Sequence, residues 1–238
     1  MSTQTLFRED AYRTECTARV EAVTPGGVIL DATVFYPQGG GQPGDTGTLC
    51  WDGGEAAVVD TRHGDDGAIL HVLAEDSETP GIGTEVKATI DFDRRLRLMR
   101  MHTCLHLLSA VLPYPVTGGQ VGDGSGRLDF DLPDSPDKTD VERALNELIE
   151  ADHPVGSRWI DEAELEARPE LVKTLSVQPP KGAGRIRLID IPGVDLQPCG
   201  GTHVARTGEI GPVQVRKIEK KGRQNRRVKL QLVATQAG

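Results

Sequence analysis

DRRLRLMRMHTCLHLLSAVL, residues 93–112, is where the chain changes period. Leu96, Met99, Thr103, His106, Leu107 and Ala110 fall at helical spacing, with Leu98, Met101, Leu105, Leu108 and Leu112 beside them. The spacing predicts one long helix, with Asp93 as its N-cap and Pro113 and Pro115 as its stop. Apolar residues take up so much of its circumference that the helix should be largely buried. Within it His102 and His106 stand four residues apart, one turn above the other on a single face. Buried imidazoles need partners for their ring nitrogens, because an unpaired polar group away from water is costly.

Before this helix the chain reads as short strands. They are expected at residues 12–23, 28–34, 48–51, 56–60, 68–72 and 85–90, separated by Gly- and Asp-rich turns such as Pro25-Gly26-Gly27. Strands of this length and spacing suggest a small barrel or sandwich. After the helix, Leu128, Phe130 and Leu132 alternate with aspartates as a strand does. Val141, Leu145, Leu148 and Ile149 mark the apolar face of a second helix, and residues 160–167 suggest a third. Residues 179–184 read as loop, 185–191 as a strand, and 211–219 with 226–233 as a hairpin. The expected class is α+β: a small β-barrel-like domain over residues 1–92, then an α+β domain over 93–238 whose antiparallel sheet packs on helices.

The length suits one large domain or two modest ones. Of 238 residues 37% are hydrophobic, and 28 Gly with 15 Pro imply many turns, which favours β-rich architecture over a helical bundle. No apolar run approaches the roughly 18–20 residues of a membrane span. The first ten residues carry neither a basic nor an apolar signal region, so a cytoplasmic protein is expected. Cys16, Cys50, Cys104 and Cys199 are too few and too scattered for a disulfide framework. Cys16 and Cys50, in strand-like surroundings, are expected as small buried hydrophobes. A net charge of −9 argues against non-specific coating of nucleic acid. Yet the C-terminal hairpin concentrates Arg216, Lys217, Lys220, Lys221, Arg223, Arg226, Arg227 and Lys229.

A helical His-x-x-x-His pair alone fits either metal ligation or a satisfied core pair. The zinc-peptidase form needs Glu directly after the first His, and Thr103 stands there. The second piece is Cys199-Gly200-Gly201-Thr202-His203, whose glycines permit a tight backbone that turns thiol and imidazole toward one point. Thiolate with imidazoles suits zinc, so His102, His106, Cys199 and His203 are read as candidate ligands of one ion. Four protein ligands would close a tetrahedral site, and catalysis wants an exchangeable position, so the ion's part in any chemistry stays open at this stage.

HTCLHLLSAVL (residues 102–112) with CGGTHV (residues 199–204) resembles the signature of the alanyl-tRNA synthetase editing-domain superfamily. Gly39-Gly40-Gly41-Gln42 with Asp45 and Gly47 resembles its N-terminal β-domain motif. Order and spacing are similar to the free-standing AlaX-type editing proteins of medium length. About 90 residues before the helix leave no room for an aminoacylation core, and the chain ends soon after the hairpin, so a free-standing editor is expected.

The resemblance implies a zinc-dependent hydrolase that cleaves the ester of mischarged tRNA(Ala), carrying serine first and glycine second. It implies His102, His106, Cys199 and His203 as zinc ligands, with the two helical histidines at the catalytic centre. A non-catalytic tRNA-binding zinc module is the alternative. Serine differs from alanine by one hydroxyl, which a polar group can favour, and Thr103 and Gln120 are candidates for that contact. Thr103 has an alternative use, bonding back to its own helix. The Gly39-Gly40-Gly41-Gln42 loop reads either as a tight turn or as backbone that approaches tRNA closely. Lys220, Lys221, Arg223 and Arg226 are expected on tRNA phosphates.

Overall fold

In the computed structural model, residues 3–175 and 184–233 are described. The loop expected at residues 179–184 lies outside them except for Gly184. The chain divides into two compact units, Met1–Leu96 and Arg97–Gly238, and the division falls inside helix α1 (Phe92–Val111).

The first unit holds β1 (Gln4–Thr5), β2 (Glu15–Thr24), β3 (Gly27–Leu30), β4 (Ala32–Thr33), β5 (Gly47–Trp51), β6 (Gly54–His63), β7 (Ile69–Leu73) and β8 (Glu85–Ile90). Six of them close into an antiparallel barrel in the order β2-β3-β7-β6-β5-β8, as the strand spacing suggested. Two-residue β1 and β4 pair in parallel beside it. In β2, Cys16, Ala18 and Val20 point inward at alternate positions, joining Leu30, Leu49, Val86 and Ala88 in the core. Cys16 is buried as expected; Cys50 is only half-buried, a correction that follows from its place on the outward side of β5.

The Gly39-Gly40-Gly41-Gln42 stretch is a tight turn. Gly39 and Gln42 exchange both backbone hydrogen bonds (3.1 and 2.9 Å), and Gly40 and Gly41 take φ of 56° and 82°, which only glycine adopts without strain. Three residues on, Asp45 lies beside Arg95 in the first turn of α1. The Arg95 Nε meets both Asp45 oxygens (2.9 and 3.0 Å), and Nη2 contacts Asp45 as well. The remaining donors reach the carbonyls of Val34 (2.7 Å) and Ala11 (3.0 Å), so the buried charge is matched at every side.

α1 starts one turn's edge earlier than the sequence implied. Its cap is Asp91, whose carboxylate accepts the Arg94 N–H at 3.0 Å; Asp93 lies in the first turn. Residues 101–109 are all buried, in line with an apolar circumference.

The second unit adds β9 (Val116–Val121), β10 (Ser125–Asp131), α2 (Lys138–Glu150), β11 (Gly156–Asp161), α3 (Glu162–Glu166), β12 (Arg185–Ile191), β13 (Asp195–Pro198), β14 (Val213–Lys220) and β15 (Asn225–Leu232). β14-β15-β10-β9 form one antiparallel sheet and β11-β12-β13 another. α2 packs on β14, where the Asn146 amide bonds the Val213 N–H and carbonyl (both 3.0 Å). β10 comes so close to α1 that a side chain on Gly126 would meet the Met101 sulfur at 2.7 Å. Residues 156–161, the last two expected as helix, are an edge strand; α3 begins only at Glu162. One face of the smaller sheet is covered by Leu165 and Leu171 against Ile160, Ile186 and Leu188.

Candidate metal centre

α1 presents His102 and His106 on adjacent turns, and the segment leaving β13 presents Cys199 and His203. The four donor atoms all lie within 4.8 Å of one another. Cys199 Sγ is 3.5 Å from His102 Nε2 and 3.3 Å from His203 Nε2. Tetrahedral zinc with bonds of about 2.0–2.3 Å needs ligand separations of roughly 3.3–3.7 Å. The donors therefore fit such an ion in number and chemistry, and the two Cys199 separations fall within that range. Each of the three imidazoles is 6% exposed, so the cluster is buried without being sealed.

Two of the imidazoles are fixed by partners that decide which nitrogen faces the cluster. His106 Nδ1–H donates to Asp195 Oδ2 at 2.8 Å, leaving Nε2 for a metal. Thr103 donates its hydroxyl to the Met99 carbonyl (3.0 Å), so toward His203 Nδ1 (3.1 Å) its oxygen is the acceptor, and His203 likewise keeps Nε2 free of hydrogen. Thr103 also accepts the Val204 N–H at 3.3 Å. Its hydroxyl, fully buried, is thus spent on its own helix and on orienting a ligand rather than turned toward a substrate.

Asp195 is itself held. Lys173 Nζ reaches Oδ1 at 2.5 Å, and Gln197 Nε2 reaches Oδ2 at 2.7 Å and Ser109 Oγ at 2.9 Å. Ser109 in turn donates to the His106 carbonyl at 2.8 Å, so the network closes on the residue it serves. Sequence reasoning missed Asp195, Gln197, Lys173 and Ser109. A signal for two of them was present: Asp195, Gln197 and Cys199 alternate along one strand and so share a face.

The electrostatics follow from these contacts. Burial would raise the Cys199 thiol, but the charges of His102 and His203 and the imidazole hydrogen bonds outweigh it and hold the thiol well below its usual range. Burial lowers His203 to about 3, favouring the neutral imidazole. Burial also opposes charge on His106, yet Asp195 and Cys199, each through a hydrogen bond and its charge, outweigh it and raise the ring to about 9. Asp195, despite burial, is drawn down to about 2 by His106, Gln197 and Lys173. Thiolate and neutral imidazole are the forms that bind metal, so an ion entering the cluster takes the place of the proton on His106 Nε2. Cys104, between the two histidines in sequence, is buried in the core and pushed up to about 12, an inert thiol.

The other expected site residues lie elsewhere. Gln120 is exposed on β9, where Arg127 Nε approaches it at 3.4 Å. It shares a sheet face with Arg127 and Asp129, opposite to the face on which Gly126 meets Met101 of α1. Gln42 is fully buried in the first unit, a correction to its expected tRNA contact; Gly40 and Gly41 are exposed. Arg226 is also corrected. It is 4% exposed and clamps its own turn through Ser135 (3.1 Å), Gly222 (3.2 Å), Asn225 (3.1 Å) and Pro133. Lys220, Lys221 and Arg223 are exposed at the hairpin tip.

The small barrel and the unit with the His/His/Cys/His cluster each match a domain family named for tRNA synthetases. Residues 3–94 match the family described as tRNA synthetases class II (A), and residues 186–229 the threonyl and alanyl tRNA synthetase second additional domain. The alanyl-tRNA editing protein AlaX-M of Methanosarcina mazei is 37% identical, over 99% of both chains. AlaX-M of Saccharolobus solfataricus is 35% identical over 95% of this chain and 97% of its own. The alanine–tRNA ligase of Caldivirga maquilingensis is 38% identical over 92% of this chain but only 25% of the ligase. The chain belongs to the AlaX-M family of alanyl-tRNA editing proteins.

Proposed function

We propose that this protein is a zinc-dependent aminoacyl-tRNA deacylase acting in trans in the cytoplasm. Its substrate in this reading is tRNA(Ala) esterified with the wrong amino acid, serine first and glycine second. The observation that carries the proposal is the convergence of four metal-binding donors from α1 and the Cys199 segment within 4.8 Å. The names of the relatives supply the substrate class.

An aminoacyl ester is already activated, so the demand on the site is to orient it and stabilise a developing oxyanion. Bound zinc would supply a Lewis acid, able to polarise water or to hold the free amine of the substrate. The chain's own residues hold the rest in place. Asp195 fixes the ring of His106, Thr103 fixes that of His203, and the buried wall of α1 keeps bulk water from the cluster. A second, hydrolytic sieve is needed because a site that accepts alanine rejects near relatives only weakly by shape. Lys220, Lys221 and Arg223 are the proposed phosphate contacts, with the exposed Gly40–Gly41 turn as a second point of approach.

The test is deacylation of Ser-, Gly- and Ala-tRNA(Ala) by purified zinc-loaded protein. Serine should be released faster than alanine, and His106→Ala or Cys199→Ala should abolish release. A folded, zinc-containing protein that leaves Ser-tRNA(Ala) intact would instead support a non-catalytic tRNA-binding module, with the metal structural.

A further inference from the structure

We infer that Trp159 and Arg187 form a platform for the 3′-terminal nucleoside of the aminoacylated tRNA, an inference that rests on the deacylase reading above. Trp159 lies directly opposite Arg187 across β11 and β12. The Cys199 N–H donates to the Arg187 carbonyl at 3.1 Å, continuing the β12–β13 pairing by one residue. Trp159, Arg187 and Cys199 therefore form one row across the sheet, and residues opposed in this way project from the same face. At about 4.8 Å per strand, Trp159 stands roughly 10 Å from Cys199.

The opposite face of this sheet is the one closed by Leu165 and Leu171. The face bearing Trp159 is the one on which Asp195 and Gln197 meet α1, and there Trp159 is 42% exposed at the sheet edge. An indole this exposed at an edge leaves much of its surface unpacked. Beside it, the half-buried Arg187 is locked, its Nη1 donating to the carbonyls of Cys199 (3.2 Å) and Gly201 (2.9 Å). A flat aromatic face next to a fixed guanidinium suits a nucleobase attached to a phosphate backbone.

Distance selects which base. In an aminoacyl-tRNA the ester sits on the ribose of the last nucleotide, so with the ester at the cluster only the terminal base falls within a nucleoside's reach. One exposed tryptophan is enough for one base, and a protein with 4% aromatic residues needs no longer stacking track.

Trp159→Ala should raise KM for Ser-tRNA(Ala) about tenfold or more, the size expected of one lost base stack. Trp159→Phe should restore most of it, with zinc content and melting temperature unchanged in both. Because the chain has two tryptophans, Trp51→Phe leaves Trp159 as the only reporter, and CCA trinucleotide should quench its fluorescence. A wild-type KM in Trp159→Ala, or no quenching by CCA, would overturn the platform. Quenching by CCA in a protein that does not release serine would keep the platform and remove the deacylase reading.

Discussion

His106 is held at both ends: its ring by Asp195 and its backbone carbonyl by Ser109, which Gln197 ties back to the same carboxylate. A carboxylate on the far nitrogen of a metal-binding imidazole fixes its rotation and raises the basicity of the nitrogen that faces the ion. Asp195→Asn keeps the volume and one acceptor but removes the charge. It should weaken zinc binding by about 10–100-fold, read as the chelator concentration that strips half the metal. An unchanged half-point, with the fold intact, would show that Asp195 serves Lys173 and Gln197 rather than the ligand ring. Thr103 illustrates how one hydroxyl serves three neighbours, Met99, His203 and Val204. Having given its proton to the Met99 carbonyl, it can only accept from His203.

At the scale of elements, the first turn of α1, which belongs to the first unit, is held to Asp45 by Arg95. Asp45→Ala would leave a fully buried guanidinium with two carbonyls and no counter-charge. The first unit should lose about 3–5 kcal/mol, measured by urea unfolding; a loss under about 1 kcal/mol would mean that water replaces the carboxylate. The same scale shows what could be read in advance. Residues 85–90 and 185–191, where buried and open positions alternate, are strands over the expected span. The long helix and the barrel were legible for the same reason, a strong period in apolar residues. β9 was not, because Gly118 and Gly119 occupy its centre and offer no side chains to alternate; at Gly119 a side chain would meet Leu128 at 2.9 Å. β11 escaped as an edge strand with a single buried residue, Ile160, which leaves no alternation to see. Of the centre, the four donors stood out by chemistry and spacing. Lys173 and Ser109 could not, since only the folded chain brings them to Asp195 and Gln197.

Across the whole molecule, the question is how an acidic protein holds an anionic substrate. Much of the hairpin's positive charge is already committed. Lys217, Lys221 and Lys229 surround Glu219 at 3.1–3.3 Å and hold it at about 2, while Arg227 pairs with Asp129 at 2.7 Å. Arg216, Lys220 and Arg223 form no ion pair among the described residues; the proposed phosphate contacts are the three exposed cations of the hairpin tip, Lys220, Arg223 and Lys221, the last shared with Glu219. Changing these three together to alanine should weaken tRNA binding and reduce the slope of log affinity against log salt by about 2–3. An unaltered slope would assign the phosphate contacts to another surface. The placement of the centre along the chain also orders its birth. All six barrel strands precede His102, and 97 residues separate His102 from Cys199. At roughly 5–20 residues per second, a ribosome delivers the second half of the cluster about 5–20 s after the first. During that interval a barrel can close while two imidazoles wait on a helix already complete at Val111, so the four donors can meet only after Cys199 and His203 have been made.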